Sequence, residues 1–570
     1  MVSTSPIARY VNTPTHNFQW AQEELGCIDL GDLRSERRLV SCFADMLNSP
    51  GKSIPQCTGS LKGSKAFYRL LDNDNLTAES LLEAHHQGAL RRARASAEPV
   101  MLCIQDTTTA NYDTHKSVNG LGSIGSSKRK RKGHTAGLHV HGTLLTSANV
   151  DEVHGLLGAK LYARKANKRK LQTPGTRNRE PITAKESHRW LESFELAREA
   201  QVALREGWPK QSQSPGGPLL VSVGDRESDI YELLREAALH REQGLGLLVR
   251  SQFNRRLHTQ PEQTEQTEQT EQTEQAEQTE QTEQTEQVAK QLWNELSASP
   301  LRGTVTLKLP RSQGQPAREV TLEVRYLNTV ISAPTHKVKY LKLTEPVPIN
   351  AIELVEKGVE KGIHWRLLTT LPVASLEDAL RLARWYSKRW QIEVFHRTLK
   401  TGCQTEARQL RTLERLKPML ALDMITACTL MGMSAAARSR PESPASDWLE
   451  RDALEALSAY YQLGASAEVE PPPQPQPQPP SPPPAAPAHR VEAQEPARSS
   501  PPQASGNPEP SPKVEAMSIG TAVKYIAKLG GHLGRRGDGP PGVQVLWQGL
   551  AKLTVITEAW SRFGGPKRCG

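Results

Sequence analysis

Residues 382–402, LARWYSKRWQIEVFHRTLKTG, carry five Lys or Arg side chains, four aromatics and a single carboxylate, Glu393. No Gly or Pro interrupts the run before Gly402, and Trp385, Ile392, Phe395 and Leu399 recur three to four apart or at multiples of a turn, so the spacing predicts one helix. At roughly 100° per residue these four fall within about 80° of one another, an apolar stripe. Tyr386, Arg389, Glu393 and Lys400 fall within about 60° on a neighbouring stripe. One acid thus sits among two cations and a phenol. Taken alone, this pattern equally describes a solvated face with Arg389 and Glu393 as an ordinary i, i+4 pair.

Working outward, carboxylates recur at two other telling places. Asp106 is read at the end of the apolar strand VMLCIQDTT, and Asp225 at the end of PLLVSVGDRESD. Strand ends are where chains turn and ligands approach, although a terminal Asp also serves as a turn or cap residue. Three acids drawn together repel unless something neutralises them. A pair of divalent cations about 4 Å apart does so while activating a nucleophile and stabilising a leaving oxygen. Hard oxygen ligands favour Mg²⁺ or Mn²⁺, and phosphodiester chemistry is the natural use.

The composition agrees with a polyanionic partner. The 570-residue chain has a net charge of +10, and removing the nine Glu between Glu262 and Glu286 leaves +19 on the rest. Cationic chains that release condensed counterions bind nucleic acid. An anionic membrane surface is the other candidate, but MVSTSPIARYVN has no apolar core of a signal, and the stretch Met419–Met433 is read as too short to span and is broken by Asp423. A cytoplasmic, nucleoid-associated protein is expected. Seven scattered cysteines without a CxxC pair indicate reduced thiols rather than zinc or disulfides. In HTAGLHVH, His134, His139 and His141 are read as structural or DNA-facing rather than metal-binding, because no acid or thiol lies near them in sequence.

Two segments lack what a core needs. The EQT repeat has a period of three and no large apolar side chain, and the Pro-rich stretch from Glu470 to Pro512 reads as an extended linker. The expected organisation is a basic helical unit at 1–92, suited to docking on phosphates, with Thr77 as an N-cap, an α/β unit at 93–253, and a β insertion at 254–360 carrying the repeat at 261–287. A second α/β part at 361–465, a linker at 466–513 and a helical module at 514–570 follow. VTLKLP, REVTLEVRYL and HKVKYLKLT are read as the antiparallel strands of the insertion, and IHWRLLTTLPV as one further strand. The fold class is α/β, a mixed sheet flanked by helices.

Here the sequence resembles a known family. Tyr386, Arg389, Glu393 and Lys400 have the Y-(2)-R-(3)-E-(6)-K spacing of DDE transposases of the insertion-sequence-four family, and CIQDTT and VGDRESDIY resemble that family's two Asp segments. LGDLRSERRLV, AFYRLLDNDNLTAES, LLVRS, WRLLTTLPVASLEDALR, AKLGGHLG and VLWQGLAKL continue the similarity in order along most of the chain. The resemblance implies an RNase H-like core with an antiparallel β insertion, in which Asp106, Asp225 and Glu393 hold two Mg²⁺ or Mn²⁺ ions. It implies nicking of a transposon end by water, hairpin formation by the freed 3′-OH, reopening, and attack on target double-stranded DNA by a homodimer. Tyr386, Arg389 and Lys400 would grip the end phosphates and an extruded base, Trp365 would fill the vacated space, and Arg250 would lie near the site. Core packing is the plain alternative for Trp365. SSKRKRKGH reads as a phosphate-contact loop. The repeat and the linker depart from the family pattern. A non-catalytic DNA-binding derivative or inhibitor and a structure-specific nuclease are the competing functions.

Overall fold

The computed structural model describes residues 16–126, 134–164, 179–258 except 211, 213 and 215, 290–309, 318–359, 362–466, 517–535 and 538–564. The EQT repeat, nearly all of the Pro-rich linker and the Lys128–Lys132 loop lie outside them.

Five helices come first: α1 (His16–Leu25), α2 (Leu33–Asn48), α3 (Ile54–Thr58), α4 (Leu61–Leu70) and α5 (Ala78–Ser96). Their starts follow from capping chemistry. The Asp32 carboxylate accepts from Ser35 N–H at 2.9 Å, and Thr77 Oγ1 accepts from Ser80 N–H at 3.0 Å, supplying acceptors to donors that a helix start leaves unpaired.

Strands β1 (Val100–Asn111), β2 (Gly122–Ser126), β3 (His134–Ser147) and β4 (Val153–Tyr162) form an antiparallel group, with β2 and β4 both on the far side of β3 from β1. Helix α6 (Arg189–Arg205) leads to β5 (Leu219–Gly224), then α7 (Tyr231–His240) and β6 (Leu245–Arg250). β5 and β6 run parallel to β1. The insertion adds α8 (Leu292–Ala298), β7 (Gly303–Leu309), β8 (Arg318–Ile331), α9 (Thr335–Leu341) and β9 (Val347–Glu356), and β10 (His364–Thr369) follows it. It extends the same sheet, ordered β2-β3-β1-β5-β6-β10-β9-β8-β7. The first six residues of HKVKYLKLT are therefore helix rather than strand: Pro334 precedes the first turn, where a missing N–H costs nothing, and β9 takes up the pairing with β8 instead.

Both faces of the sheet are covered. Along β1, Leu102 and Ile104 enter one apolar cluster, and Met101 and Cys103 the other, the period of two expected of a strand buried on both sides. Helices α10 (Leu376–Ser387), α11 (Trp390–Arg397) and α12 (Leu413–Ser439) belong to the first cluster, and α6 and α7 to the second. α12 has the length and apolarity to cross a membrane, contrary to the shorter stretch read from sequence, and it is a buried core helix. The Asp423 that interrupts it is fully buried and paired twice with Arg408, at 3.0 and 2.6 Å.

α13 (Arg451–Ser466) packs against both of the last helices, α14 (Ile519–Leu529) and α15 (Val543–Ala559), which pack back on α12. Met517 O accepts from Ala445 N–H at 2.9 Å, and Thr554 Oγ1 donates to Asn48 O at 3.0 Å, tying this module to α2. All six cysteines among the described residues are free thiols.

Candidate active site

Strand pairing brings two of the three acids near each other. The β1–β5 pairing runs from Val100↔Leu219 to Ile104↔Val223. Beyond the last pair Asp106 continues β1 while Asp225 stands on the turn that follows β5, and the two carboxylates are electrostatic neighbours. Alternation puts Asp106 on the face of Leu102 and Ile104, the face that Ile392 and Phe395 of α11 cover. Asp106 is not at a strand end: β1 continues to Asn111, because its other edge stays paired with β3, where Gly142 lies opposite Asp106. What ends at that level is β5.

Each Asp has one oxygen fixed by the backbone. Asp106 Oδ1 accepts from Thr107 N–H at 2.7 Å, and Asp225 Oδ1 from Glu227 N–H at 2.8 Å. Burial, with Asp225 and Glu393 as negative neighbours, pushes the Asp106 carboxyl up to about 6, against the pull of Thr107 N–H and Arg389. A bound cation would offset the burial cost first and the repulsion second.

Glu393 arrives on α11, but the helix is not the uniform one its spacing predicts. α10 stops at Ser387, α11 begins at Trp390, and Thr398–Gly402 is a π-helical turn. Between the two helices, i→i−3 bonds from Arg389, Gln391 and Ile392 tighten the chain, and the Lys388 ammonium donates to Ser147 O and Val150 O at 3.2 and 2.8 Å. The π turn then underwinds it. Tyr386, Arg389 and Glu393 still meet: the Arg389 guanidinium donates to Glu393 Oε1 at 2.5 Å and lies 3.5 Å from Asp106 Oδ2. Lys400 is displaced along the π turn, where burial lowers its ammonium against the attraction of Glu406.

Trp365 on β10 is half-buried and sets its ring edge-on to Tyr386, with centroids 5.4 Å apart. Arg250 closes β6, donates to His364 O at 3.0 Å, and lines a cavity of about 220 Å³ with Arg226, Gln252, Trp293 and Arg366. Burial lowers the Arg250 guanidinium, and so do Arg226 and Arg389, while Tyr386 and Asp225 oppose them. Seven of the eight residues singled out in the sequence therefore gather around one spot, whereas the charged neighbour of Lys400 is Glu406.

Among the described residues no group of three or more His, Cys, Asp and Glu side chains is close enough to hold a metal ion. With the Arg389 guanidinium against both, Asp106 and Glu393 are screened by an organic cation. The donor set nevertheless suits a hard divalent ion, since Asp106 and Asp225 each retain an oxygen not held by these backbone N–H groups. His139 and His141 are packing groups: His139 stacks on Tyr162, and His141 meets the Trp190 ring edge-on, with burial and the Arg189 charge bringing its imidazole down to about 3.

Sequence reading missed Arg189. Its Nε donates to Thr107 Oγ1 at 2.9 Å and its Nη2 to Glu227 Oε2 at 2.7 Å. These contacts cross 82 and 38 residues, and nothing local in sequence signals them.

Three family descriptions match the chain: Transposase DNA-binding over residues 17–76, Transposase DDE domain over 220–428, and Transposase Tn5 dimerisation domain over 505–564. Asp225 and Glu393 lie within the second span and Asp106 outside it. Among solved structures, the cryo-EM structure of the piggyBac transposase synaptic complex with hairpin DNA shares 10% identity over 75% of this chain and 73% of that one, with a TM-score of 0.30. That likeness is too slight to carry weight.

Proposed function

We propose, from the premise that this chain is a DDE transposase resembling that of Tn5, that Asp106, Asp225 and Glu393 form its catalytic centre for cut-and-paste movement of DNA. The observation that supports the reading is that Asp106 on β1 feels the charges of Asp225, on the turn after β5, and of Glu393, on α11.

Two Mg²⁺ or Mn²⁺ ions held by these carboxylates would activate the attacking oxygen and stabilise the leaving one. The chain's own residues supply the remainder. Asp106 and Asp225 are held rigidly by backbone N–H groups, whereas Glu393 is held by the Arg389 side chain, which can exchange its carboxylate partners for a DNA phosphate. Tyr386, Arg250 and Lys400 would add contacts to the end. A hairpin step, in which a freed 3′-OH attacks the opposite strand, requires a base to leave the stack, and Trp365 against Tyr386 offers an aromatic surface to occupy the gap. The helices at residues 17–76 would hold terminal repeats of the transposon, and the last module would join two copies so that one subunit recognises the end its partner cuts. Work on chromosomal DNA would take place in a bacterial cytoplasm, at the nucleoid.

Strand joining by the purified full-length protein with Mg²⁺, on DNA taken from the flanks of its own gene, tests the reading. A transposase transfers a 3′ end to target DNA, a nuclease only cuts, and a DNA-binding derivative does neither. Glu393→Gln is expected to keep end binding and lose cutting by at least about a thousandfold, near the range that one essential group supplies. Normal cutting by that variant rejects the site.

A further inference from the structure

We infer that Arg189 is a positioning residue that fixes the spacing between Asp106 and Asp225. The inference rests on the reading of those two acids as the catalytic pair.

The geometry is that of a brace. The N–H groups that hold Asp106 and Asp225 belong to Thr107 and Glu227, and the side chains of those same two residues are the ones Arg189 grasps. Thr107 alternates to the opposite face of β1 from Asp106, toward α6, whose first residue is Arg189. One guanidinium therefore spans, from behind the sheet, the strand that carries one acid and the turn that carries the other. Its third arm is also used: Nη1 donates to Glu186 O at 2.9 Å. Thr107 Oγ1 makes a further 2.8 Å hydrogen bond to His141 Nδ1, which locks its rotamer. The Arg189 side chain is only 10% exposed, so its fork is held by packing, whereas Glu227 is 65% exposed and has no core to support.

A planar, rigid fork suits this task in a way that a lysine ammonium does not. β5 ends at Gly224, and Asp225 stands on a short turn beyond the last ladder pair, so the β-sheet alone does not fix its separation from Asp106. Outer groups that orient ligand carboxylates change metal affinity or activity by about 10–100-fold when removed.

The test compares Arg189→Met, Glu227→Gln and Thr107→Val in the full-length protein. Cutting of end DNA is followed against Mg²⁺ concentration, and Mn²⁺ binding is followed separately by electron paramagnetic resonance. Arg189→Met is expected to raise both midpoints by about tenfold while DNA affinity stays as in the parent. Glu227→Gln should shift them less, and the double variant no further than Arg189→Met alone, because both changes break one connection. Midpoints matching the parent in Arg189→Met, or fully additive shifts in the double variant, overturn the inference. If Arg189→Met does not fold, Glu227→Gln and Thr107→Val decide it, with unchanged midpoints in both overturning it. Asp106→Asn separates the inference from its premise: if that variant cuts normally, the site itself is wrong. If it is inactive while Arg189→Met titrates like the parent, only the brace is wrong.

Discussion

At the scale of single residues, the site is organised by which oxygen each acid keeps free. Asp106 and Asp225 each give one oxygen to a backbone N–H, while Glu393 faces a side chain that can leave. Trp365 is where a packing role and a DNA role compete, because its ring is half-buried yet rests on Tyr386 at the mouth of the acidic cluster. Trp365→Ala is expected to slow hairpin formation more than first-strand nicking, by about tenfold or more, given the ~1–3 kcal/mol of a base–aromatic stack. Single-turnover assays that resolve nick from hairpin check this, and equal slowing of the two returns Trp365 to the core.

Among the elements, α12 shows how a buried charge is tolerated inside an apolar helix. Arg408 grips Asp423 with two nitrogens and donates also to the backbone oxygens of Lys52 and Cys403, so one guanidinium joins α12, the loop before α3 and the π turn. Arg408→Met leaves Asp423 buried without its cation and should cost about 3–5 kcal/mol, read from urea unfolding. Asp45, in the last turn of α2, is the opposite case. Burial raises its carboxyl to about 6, and a negative charge at a helix C-terminus is unfavourable as well. Between about pH 4 and pH 6 the folded chain binds more protons at this site than the unfolded one, so stability falls as pH rises through that window. Asp45→Asn should therefore stabilise the protein above pH 6, by about 1–2 kcal/mol once solvent screening of this partly exposed side chain is allowed for, and have no effect below about pH 4. Melting curves at pH 7.5 and pH 4 distinguish the two; equal gains at both pH values refute the burial argument.

For the whole molecule, charge is the governing quantity. The nine Glu between Glu262 and Glu286 oppose the field that attracts DNA, and excising 262–286 takes the net charge from +10 to +19. Non-specific DNA binding should tighten in low salt, where the Debye length at 0.01 M is about 30 Å, and the difference should fade toward 1 M, where it is about 3 Å. Titrations of a duplex of unrelated sequence at the two ionic strengths measure it. An unchanged affinity in low salt places the repeat beyond the reach of the DNA path.

The sequence by itself determined the helical start and the mixed sheet, because caps and strand alternation are local patterns that a chain displays before it folds. Thr77 and Asp32 cap helices as their positions require. Where local signals misled, a non-local partner had intervened: β3 keeps β1 paired past Asp106, β9 displaces HKVKYLKLT from the sheet, and Lys388, anchored on the β3–β4 turn, sits at the break in the helix that carries Glu393. Only the tertiary structure decided that Asp106 and Asp225 are neighbours and that Arg189 stands behind both. Strand register and hydrogen bonds between residues tens of positions apart depend on how whole elements pack, and no short window of sequence contains that information.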